Sequence, residues 1–260
     1  MPPMDIQGRT VVVTGGGSGL GEATAEYLSA LGAKVVVLDR DGDKAGVVAQ
    51  RLGAVACDVD VTDEETTRLA LQTAQHRVGP LAAVVHCAGI GWAQRVLGPS
   101  GLHDIETFEQ VLRVNVIGTF NVVRQASHIM ASNEPDPNGL SEGSRGVLIL
   151  TASVAAFEGQ IGQAAYSASK AAVAGMTLPL ARELARFGIR VAAIAPGIFG
   201  TPMASGMSDK VRDSLLSQTL FPKRLGLPQE YAKLAAHIIE NDMINGSVLR
   251  LDGGMRMGPH

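Results

Sequence analysis

The sequence predicts one α/β domain, a doubly wound parallel sheet of seven strands with helices on both faces. Short β-branched apolar runs alternate with longer segments rich in Ala and Leu, which is the order of parallel strands joined by helical crossovers. The runs are apolar nearly throughout, as expected for strands that are buried on both faces. With 260 residues, 46% of them hydrophobic, the chain is long enough to form such a domain with a sizeable core.

Seven apolar runs are predicted as strands, and they lie at 10–14, 34–39, 54–58, 81–87, 146–151, 190–195 and 247–251. Six segments between or after them are predicted as helices, near 19–31, 42–52, 63–78, 104–132, 164–187 and 228–240. Residues 133–145 are polar and contain Pro and Gly, which indicates a surface loop, because strand-like sequence resumes at 146. Residues 1–260 are therefore predicted to form a single domain.

The segment 200–227 has little strand character and carries several Met and Leu side chains. It follows the carboxyl end of the sixth predicted strand, and loops at this edge of a parallel sheet often cover a binding site. We therefore interpret 200–227 as a substrate lid, with a packed pair of helices as the alternative.

Composition excludes several classes of function. The formal net charge is −3 and no long basic run occurs, which argues against a nucleic-acid-binding surface. The two cysteines, Cys57 and Cys87, are too few for a disulfide framework and lack the spacing of a zinc site, so no metal is expected. No signal peptide and no apolar run of membrane-spanning length is visible. These features predict a reduced, cytoplasmic protein without a membrane partner.

A glycine-rich turn joins the first predicted strand to the first predicted helix. Its pattern is T-G-x-x-x-G-x-G over 14–21, and the fingerprint G-x-G-x-x-G is absent. Glycine at such a turn lets the backbone approach a pyrophosphate, which then lies at the positive end of the helix. The turn therefore indicates a dinucleotide site of the Rossmann type, while a simple turn is the alternative. The candidate ligands are Gly15, Ser18, Gly19, Leu20 and Gly21.

Acidic residues end the second and third predicted strands. A carboxylate at Asp39 can accept hydrogen bonds from both ribose hydroxyls of an adenosine and would repel a 2′-phosphate, which favours NAD over NADP. Arg40 is a competing feature, because an arginine here can pair with a 2′-phosphate, but Asp39 would lie closer to the ribose. Asp58 is a candidate for binding the adenine amine, with Val59 supplying a backbone N–H. Both aspartates could instead be turn or capping residues.

Together these motifs resemble those of the short-chain dehydrogenase/reductase family, and the resemblance covers the whole chain. Further matching motifs lie at Cys87-Ala88-Gly89, Asn115, Ser153, Tyr166-x-x-x-Lys170 and Pro196-Gly197. The resemblance implies an NAD-dependent oxidoreductase in which Cys87, Ala88 and Gly89 contact the cofactor. It also implies that catalysis is carried by Ser153, Tyr166, Lys170 and Asn115.

Within this family, longer segments resemble the 3-hydroxyacyl-CoA dehydrogenases of type 2. These segments are 133–139, 151–182, 194–203 and 245–257. The resemblance implies oxidation of the 3-hydroxyl of short-chain acyl-CoA thioesters with NAD, acceptance of some steroids, and a homotetramer. A hydroxysteroid or secondary-alcohol dehydrogenase of the same family is the alternative. The family often has Asn-Asn-Ala-Gly where this chain has His86-Cys87-Ala88-Gly89, and we interpret His86 as a packed residue without a catalytic role.

Tyr166 and Lys170 lie one helical turn apart, a spacing that by itself often marks only a surface pair. A free phenol has a pKa near about 10 and is a poor base at neutral pH. A nearby cation favours phenolate, so Lys170 and an oxidised nicotinamide would let Tyr166 accept the alcohol proton as hydride leaves. Ser153 would hold the substrate oxygen against Tyr166. By resemblance, Asn115 links Lys170 to solvent through water, and a side chain bonded within a helix kink is the alternative.

The resemblance assigns further residues to the site. Pro196, Gly197, Phe199 and Thr201 would contact the nicotinamide and the phosphates, unless they only form a turn before the lid. Gln163 and Phe157 would line the substrate pocket beside the reacting groups.

Two other functions match the sequence less well. A 3-oxoacyl carrier-protein reductase would need NADPH and a basic surface for its acidic carrier, and Asp39 speaks against it. A non-catalytic NAD-binding regulator has no need for Ser153, Tyr166 and Lys170 together. Four cations near the lid would either meet the phosphates of coenzyme A or form a solvated helix face, and they are Lys210, Arg212, Lys223 and Arg224.

Overall fold

The computed structural model describes residues 6–99, 101–135, 143–205 and 209–259, with only the backbone at 209 and 210. Parts of the predicted loop 133–145 and of the lid 200–227, and the side chain of Lys210, lie outside these ranges.

Within the described residues, seven parallel strands form one sheet, which confirms the predicted fold class. The strands in chain order are β1 (Thr10–Thr14), β2 (Lys34–Asp39), β3 (Val55–Asp58), β4 (Leu81–His86), β5 (Leu97–Gly98), β6 (Gly101–Leu102), β7 (Gly146–Thr151), β8 (Ile189–Pro196) and β9 (Val248–Leu251). Of these, β5 and β6 form a separate antiparallel pair, which the sequence did not predict because two-residue strands leave no periodic pattern.

The predicted helices are present, and two of them end or continue irregularly. The helices are α1 (Gly19–Ala30), α2 (Gly42–Leu52), α3 (Glu64–Arg77), α4 (Ile105–Leu112), α5 (Thr119–Ala131), α6 (Ala164–Leu184), α7 (Pro202–Ser205), α8 (Asp209–Gln218) and α9 (Pro228–Glu240). The helix predicted over 104–132 is α4 and α5 joined by a π-helical turn at Arg113–Gly118. The helix predicted over 164–187 is α6 followed by a 3₁₀ turn at Ala185–Phe187. The lid segment contains α7 and α8.

Each central strand supplies side chains to two separate core layers. Val12 packs in the layer that also contains Val122 of α5 and Val173 of α6. Its neighbour Val13 packs in the opposite layer, with residues of α1, α2 and α9 such as Leu28. Successive residues of a strand point to opposite faces, so burial on both faces requires apolar residues at consecutive positions. This explains the continuous apolar runs in the sequence.

The sheet has a reversal of strand order that positions the site. The order is β3-β2-β1-β4-β7-β8-β9, so the chain winds in one direction from β1 through β3 and in the other from β4 onwards. Ligands of such sheets bind in the crevice at the carboxyl ends of the strands beside the reversal. Thr14 pairs with both Leu38 and His86. The glycine turn, Asp39 and the residues after β4 therefore begin side by side at this crevice.

Candidate active site

Two adjoining cavities open at the carboxyl edge of the sheet. The first, called the inner cavity, has a volume of about 330 Å³ and includes Ser153, Tyr166 and Lys170 in a largely apolar lining. The second, called the glycine-turn cavity, has a volume of about 260 Å³ and is lined at one end by the glycine turn and Asp39. Both are lined by Leu20, Cys87, Gly89, Ile90, Thr201 and Met203. One elongated ligand can therefore extend through both.

Tyr166 and Lys170 lie in the first two turns of α6 and line the inner cavity. The Lys170 ammonium is 5.8 Å from the centre of the Tyr166 ring and donates a 2.8 Å hydrogen bond to the carbonyl oxygen of Thr151. Ser153 follows β7, and its hydroxyl accepts a 3.1 Å hydrogen bond from the Ala155 N–H and is bonded to the Tyr166 phenol. The structure thus brings together three of the residues that the sequence predicted as catalytic.

Burial governs the protonation of these groups. It raises the pKa of the Tyr166 phenol, and the hydrogen bond with Ser153 opposes this rise only in part. Burial also lowers the pKa of Lys170 to about 8, so its ammonium stays mostly protonated at neutral pH. These values are for the chain without a nicotinamide, so the expected joint effect of Lys170 and an oxidised nicotinamide on Tyr166 stays a prediction. A further positive charge is needed to make Tyr166 a base.

Asn115 lies in the π-helical turn and is fully buried. Its side-chain oxygen accepts a 2.8 Å hydrogen bond from the Ile90 N–H, and its amide nitrogen donates to the Ile90 carbonyl at 2.9 Å and to the Ser169 hydroxyl at 3.0 Å. Both amide hydrogens are therefore used. A Cβ on Gly89 would come within 3.1 Å of the Asn115 oxygen and 3.4 Å of the Lys170 nitrogen, so a side chain there would crowd both groups.

The glycine turn packs so closely that side chains would not fit at two of its positions. Gly15 has φ of 63°, and a Cβ there would lie 2.7 Å from the backbone nitrogen of Ala88. A Cβ on Gly21 would collide with the carbonyl oxygen of Gly15. Gly19 sits against Thr201 at the start of α1. The turn is thus pressed against the loop after β4, which brings backbone from two strands to the glycine-turn cavity.

The N-terminus of α1 faces the glycine-turn cavity. Ser18 is its N-cap residue, and the Ser18 hydroxyl makes no capping hydrogen bond to the helix. Ser18, Leu20 and Gly21 all line the cavity. The first N–H groups of a helix carry partial positive charge, so this end of the cavity is suited to an anionic group such as a diphosphate.

Asp39 lines the glycine-turn cavity with Arg40, as the sequence predicted for a ribose-binding residue. Its carboxylate accepts hydrogen bonds from the Gly17 N–H at 2.9 Å and from the Asp41 N–H at 3.0 Å, which fixes its orientation. The predicted adenine-binding residue Asp58 is exposed and does not contribute to the cavity lining, whereas Val59 does. The role of Asp58 stays a prediction, and the neighbouring acidic residue in the lining is Asp60.

His86 is a buried link in a chain of hydrogen bonds. The Ala88 N–H donates to the Thr14 hydroxyl, and that hydroxyl bonds to His86 Nδ1 at 2.8 Å. His86 Nε2 bonds to the Thr119 hydroxyl at 3.0 Å, and Thr119 donates its own hydrogen to the Asn115 carbonyl. Because the Thr119 hydrogen is used there, Nε2 must be the donor and Nδ1 the acceptor, which defines a neutral imidazole. Burial lowers the pKa of His86 to about 3, and the interpretation as a packed residue is confirmed.

This low pKa predicts a specific loss of stability in acid. The unfolded chain binds a proton at His86 near its ordinary pKa of 6.5, whereas the folded chain does so only near 3, so the free energy of unfolding falls as pH drops through this interval. We expect His86 to account for about 2 kcal/mol of loss between pH 7 and pH 5. Denaturant titrations at several pH values give the free energy of unfolding. Between pH 7 and pH 5 this free energy should fall less for His86→Gln than for the wild type. His76→Gln, a change at an exposed histidine, is the control. An equal fall in the free energy of unfolding for all three proteins would contradict the expectation.

Most of the site residues predicted at the end of β8 and after β7 line the inner cavity, but one of them does not. Pro196, Gly197, Phe199 and Thr201 all line the inner cavity, and so does Gln163. The prediction for Phe157 is wrong, because its ring is 54% exposed and lies 5.7 Å from the Arg250 guanidinium, outside the cavity lining. The loop turns at this point to bring an acidic neighbour to Arg250, and this directs the ring outward.

One part of the lid segment covers the inner cavity, and another part faces solvent. Met203, Ala204 and Leu215 line the inner cavity, whereas Leu220 and Phe221 are 70% and 81% exposed. The expected cations also face solvent. Arg224 forms two hydrogen bonds with Glu230, at 2.7 and 2.8 Å, and Lys223 and Arg212 are exposed and absent from the lining of the inner cavity. For these three residues the structure favours the solvated face.

Sequence reasoning missed several residues of the inner cavity, among them Trp92 and Met257. Trp92 follows the Cys87-Ala88-Gly89 motif by a few residues and is the single tryptophan of the chain, a signal that could have marked it. Met257 ends the segment 245–257 that carries the resemblance, but nothing in that segment indicates that the chain returns to the cavity.

Among the residues that the structure describes, no helix is long and apolar enough to cross a membrane. The same residues contain no group of three or more His, Cys, Asp or Glu side chains placed to hold a metal ion.

The fold and this site define a dehydrogenase. The sequence model of the short chain dehydrogenase family matches residues 9–212, so the chain belongs to that family and is an oxidoreductase. It is similar to the 3-hydroxyacyl-CoA dehydrogenase type-2 of Bos taurus, with 51% identity over 98% of this chain and 97% of that protein. The ipsdienol dehydrogenase of Ips pini is 37% identical over 96% of this chain and 98% of its own length. The crystal structure of 3-hydroxyacyl-CoA dehydrogenase type-2 from Mycobacterium avium superposes with a TM-score of 0.90, at 40% identity, covering 97% of this chain and 98% of that one.

Proposed function

We propose that this oxidoreductase interconverts 3-hydroxyacyl-CoA and 3-oxoacyl-CoA with NAD, with Tyr166 as the proton donor or acceptor. The observation that carries the chemistry is that Ser153, Tyr166 and Lys170 converge in a cavity that shares a wall with the glycine-turn cavity. The substrate class is supported by similarity to two 3-hydroxyacyl-CoA dehydrogenases that cover nearly the whole chain.

The glycine-turn cavity fits a dinucleotide such as NAD. A Cβ on Gly17 would approach the Asp39 carboxylate to 3.0 Å, so a glycine here leaves space beside the carboxylate for ribose hydroxyls. Asp39 would hold those hydroxyls, and the N-terminus of α1 would hold the diphosphate. Val59 would lie beside the adenine, and Cys87, Ala88 and Gly89 would lie along the molecule towards the inner cavity. The remaining candidates, Pro196, Gly197, Phe199 and Thr201, would surround the nicotinamide end.

The residues of the inner cavity would divide the reaction between them. When bound, NAD supplies the hydride acceptor and a positive charge near Tyr166. The Ser153 oxygen accepts from the Ala155 N–H and its hydroxyl is bonded to the Tyr166 phenol, so on binding of the substrate it would turn its hydrogen to the substrate oxygen. Tyr166 would take the proton of the substrate hydroxyl during oxidation and return it during reduction. Lys170, held by the Thr151 carbonyl, would keep a cation beside the phenol and contact the nicotinamide ribose, and Asn115 would brace the same helix through Ser169.

A hydroxysteroid or secondary-alcohol dehydrogenase is the second candidate. The lining of the inner cavity is mostly apolar, with Trp92, Met203, Leu215 and Met257 among its walls. Among the described lining residues, Lys170 is the one cation, so the phosphates of coenzyme A would have to lie outside this cavity. The similarity to an enzyme named ipsdienol dehydrogenase also favours an alcohol.

We further propose that residues 1–260 act as one domain with a lid at 200–227, in fatty acid metabolism, as a cytoplasmic homotetramer without nucleic-acid or membrane partners. Self-association is supported by Ile117 and Phe120, two exposed apolar side chains beside the π-helical turn, since clustered apolar side chains favour a protein contact. The free thiols of Cys57 and Cys87 fit a reducing compartment. Light scattering of the purified protein measures the oligomeric state.

A substrate panel tests the proposed activity. We expect kcat/KM for a short-chain 3-hydroxyacyl-CoA with NAD to exceed that for a hydroxysteroid or a simple secondary alcohol by at least about tenfold, the effect of one good additional contact. Free 3-hydroxybutyrate, which lacks the coenzyme A group, is the matched control for recognition of the thioester. Turnover of a steroid or alcohol without turnover of any acyl-CoA would establish the second candidate in place of the first.

A further inference from the structure

The end of the chain forms one wall of the inner cavity. The segment 252–259, called the C-terminal segment, follows β9 and brings Met257 into the cavity lining. Met255 is 1% exposed and packs with Val154, the residue after Ser153, and with Leu215 of α8. The C-terminal segment therefore lies between the catalytic serine and the lid.

Hydrogen bonds attach the C-terminal segment to both of these neighbours. The Ile161 N–H donates to the Pro259 carbonyl at 3.0 Å, and the Gln160 amide donates to the Gly258 carbonyl at 3.3 Å. On the other side, the Gly258 N–H donates to the Gln218 side chain at 2.6 Å. The loop between Ser153 and Tyr166 is thus bonded to the last residues of the chain.

Glu158 is the centre of these contacts. Its carboxylate accepts two hydrogen bonds from Arg250 of β9, at 2.9 and 3.1 Å, and a third from the Met257 N–H at 3.1 Å. Arg250 in turn donates to Asp252 at 2.7 Å and to the Met255 carbonyl at 2.8 Å. The side chains of Arg250 and Glu158 are only 24% and 22% exposed, and a bidentate pair of this kind fixes orientation as well as distance.

The pair reaches the substrate region only through other residues. Neither Glu158 nor Arg250 lines the inner cavity, but Met257, whose N–H donates to Glu158, does, and so does Gln160, whose amide donates to the Gly258 carbonyl of the C-terminal segment. Tyr166 and Lys170 are positioned separately, by α6 and by the Thr151 carbonyl. Loss of the pair should therefore alter how the substrate is held and leave the reacting groups in place.

We propose that Glu158 and Arg250 are positioning residues that fix the C-terminal segment, and that Met257 sets the length of the acyl group that the inner cavity accepts. The Met257 side chain is the part of the segment that touches the substrate. The identity of the substrate rests on the proposed function, whereas the positioning applies to any alcohol bound in the inner cavity.

The first test removes one charge of the pair. For Glu158→Gln we expect KM for acetoacetyl-CoA to rise about tenfold, the effect of losing one hydrogen bond between charged groups. The kcat should stay within about threefold of wild type and the dissociation constant of NADH should not change, because neither depends on the C-terminal segment. Arg250→Gln should raise KM at least as much, since it also loses its hydrogen bonds to Asp252 and to the Met255 carbonyl, and the double variant should raise KM by less than the product of the two single effects.

Glu230→Gln is the matched control. It breaks a second bidentate pair, between Glu230 and Arg224, that does not touch the lining of the inner cavity. We expect it to lower Tm as Glu158→Gln does, without the rise in KM. An unchanged KM in Glu158→Gln, or equal changes of KM in both variants, would overturn the positioning role.

The second test addresses chain length. Met257→Ala should raise the ratio of kcat/KM for 3-oxooctanoyl-CoA over that for acetoacetyl-CoA by about tenfold, because removal of a half-buried cavity-lining side chain of this size opens space for several methylenes. Met243→Ala is the control, as Met243 is 90% exposed. An unchanged ratio in Met257→Ala would refute the role of Met257.

These outcomes are separate from those of the substrate panel. A wild-type protein that oxidises a steroid or alcohol, and no acyl-CoA, would remove the proposed function. The same Glu158 variants, measured with that alcohol, would then still raise KM without changing NADH affinity if the positioning is correct, and would fail to do so if it is not.

Discussion

Replacing Tyr166 with phenylalanine should lower kcat by about 10²–10⁴, the usual contribution of a positioned acid or base, while NADH still binds. The phenolic oxygen is the atom proposed to carry the proton, whereas the ring only packs beside Lys170. Steady-state kinetics with acetoacetyl-CoA measure the first effect. The fluorescence of Trp92, the single tryptophan, which lines the inner cavity, measures NADH binding.

Tyr231→Phe is the matched control for this experiment. Tyr231 is fully buried, and its hydroxyl bonds to the Thr151 hydroxyl at 2.7 Å, but it lines neither cavity. Removing this hydroxyl should cost stability and leave kcat nearly unchanged. A Tyr166→Phe enzyme that kept more than about a tenth of the wild-type kcat would mean that another group transfers the proton.

Replacing Asp39 with alanine should reduce the preference for NAD over NADP by about 10- to 100-fold in kcat/KM. The variant loses a carboxylate that would accept hydrogen bonds from the ribose hydroxyls, each worth about 1.5–3 kcal/mol, and also loses repulsion of a 2′-phosphate. Arg40, which lines the same cavity, would then be free to pair with that phosphate. The measurement is kcat/KM for both cofactors at one fixed substrate concentration.

Asp58→Ala provides the comparison for Asp39. Asp58 ends the neighbouring strand and pairs with Asp39 in the sheet, but it is exposed and outside the cavity lining. Its loss should change the preference by less than about threefold, as surface substitutions usually do. A parallel rise of more than about threefold in KM for both cofactors would restore Asp58 as a ligand of the adenine, which NAD and NADP share. Equal use of NADP by the wild type would contradict the role of Asp39.

The sequence predicts the sheet well because burial on both faces leaves an unambiguous pattern. A strand such as 34–39 must present Val36 to one layer and Val37 to the other, and no helix of this length needs four apolar residues in succession. The carboxyl ends of parallel strands share one edge, so the glycine turn and Asp39 could be placed together before any coordinates were known.

The features that were not predicted depend on contacts between distant parts of the chain. Met257 reaches the inner cavity because Arg250 and Glu158 meet, and neither residue carries a local signal of its partner. Phe157 was misplaced for the same reason. The effect of burial on the pKa of Tyr166 could not be predicted either, because a motif shows which charges are near but not how much water is removed.

The π-helical turn at Arg113–Gly118 limits how the length of this chain can change. Each residue of an α-helix advances about 100° around its axis, so deleting one residue from the turn would rotate α5 by that angle relative to α4. Val122 and Met130, now packed against the sheet, would turn away from it, and the Asn115 amide would leave Ile90. A substitution in this stretch would change only the contacts of that residue, whereas a single insertion or deletion would misalign the core and the catalytic centre together.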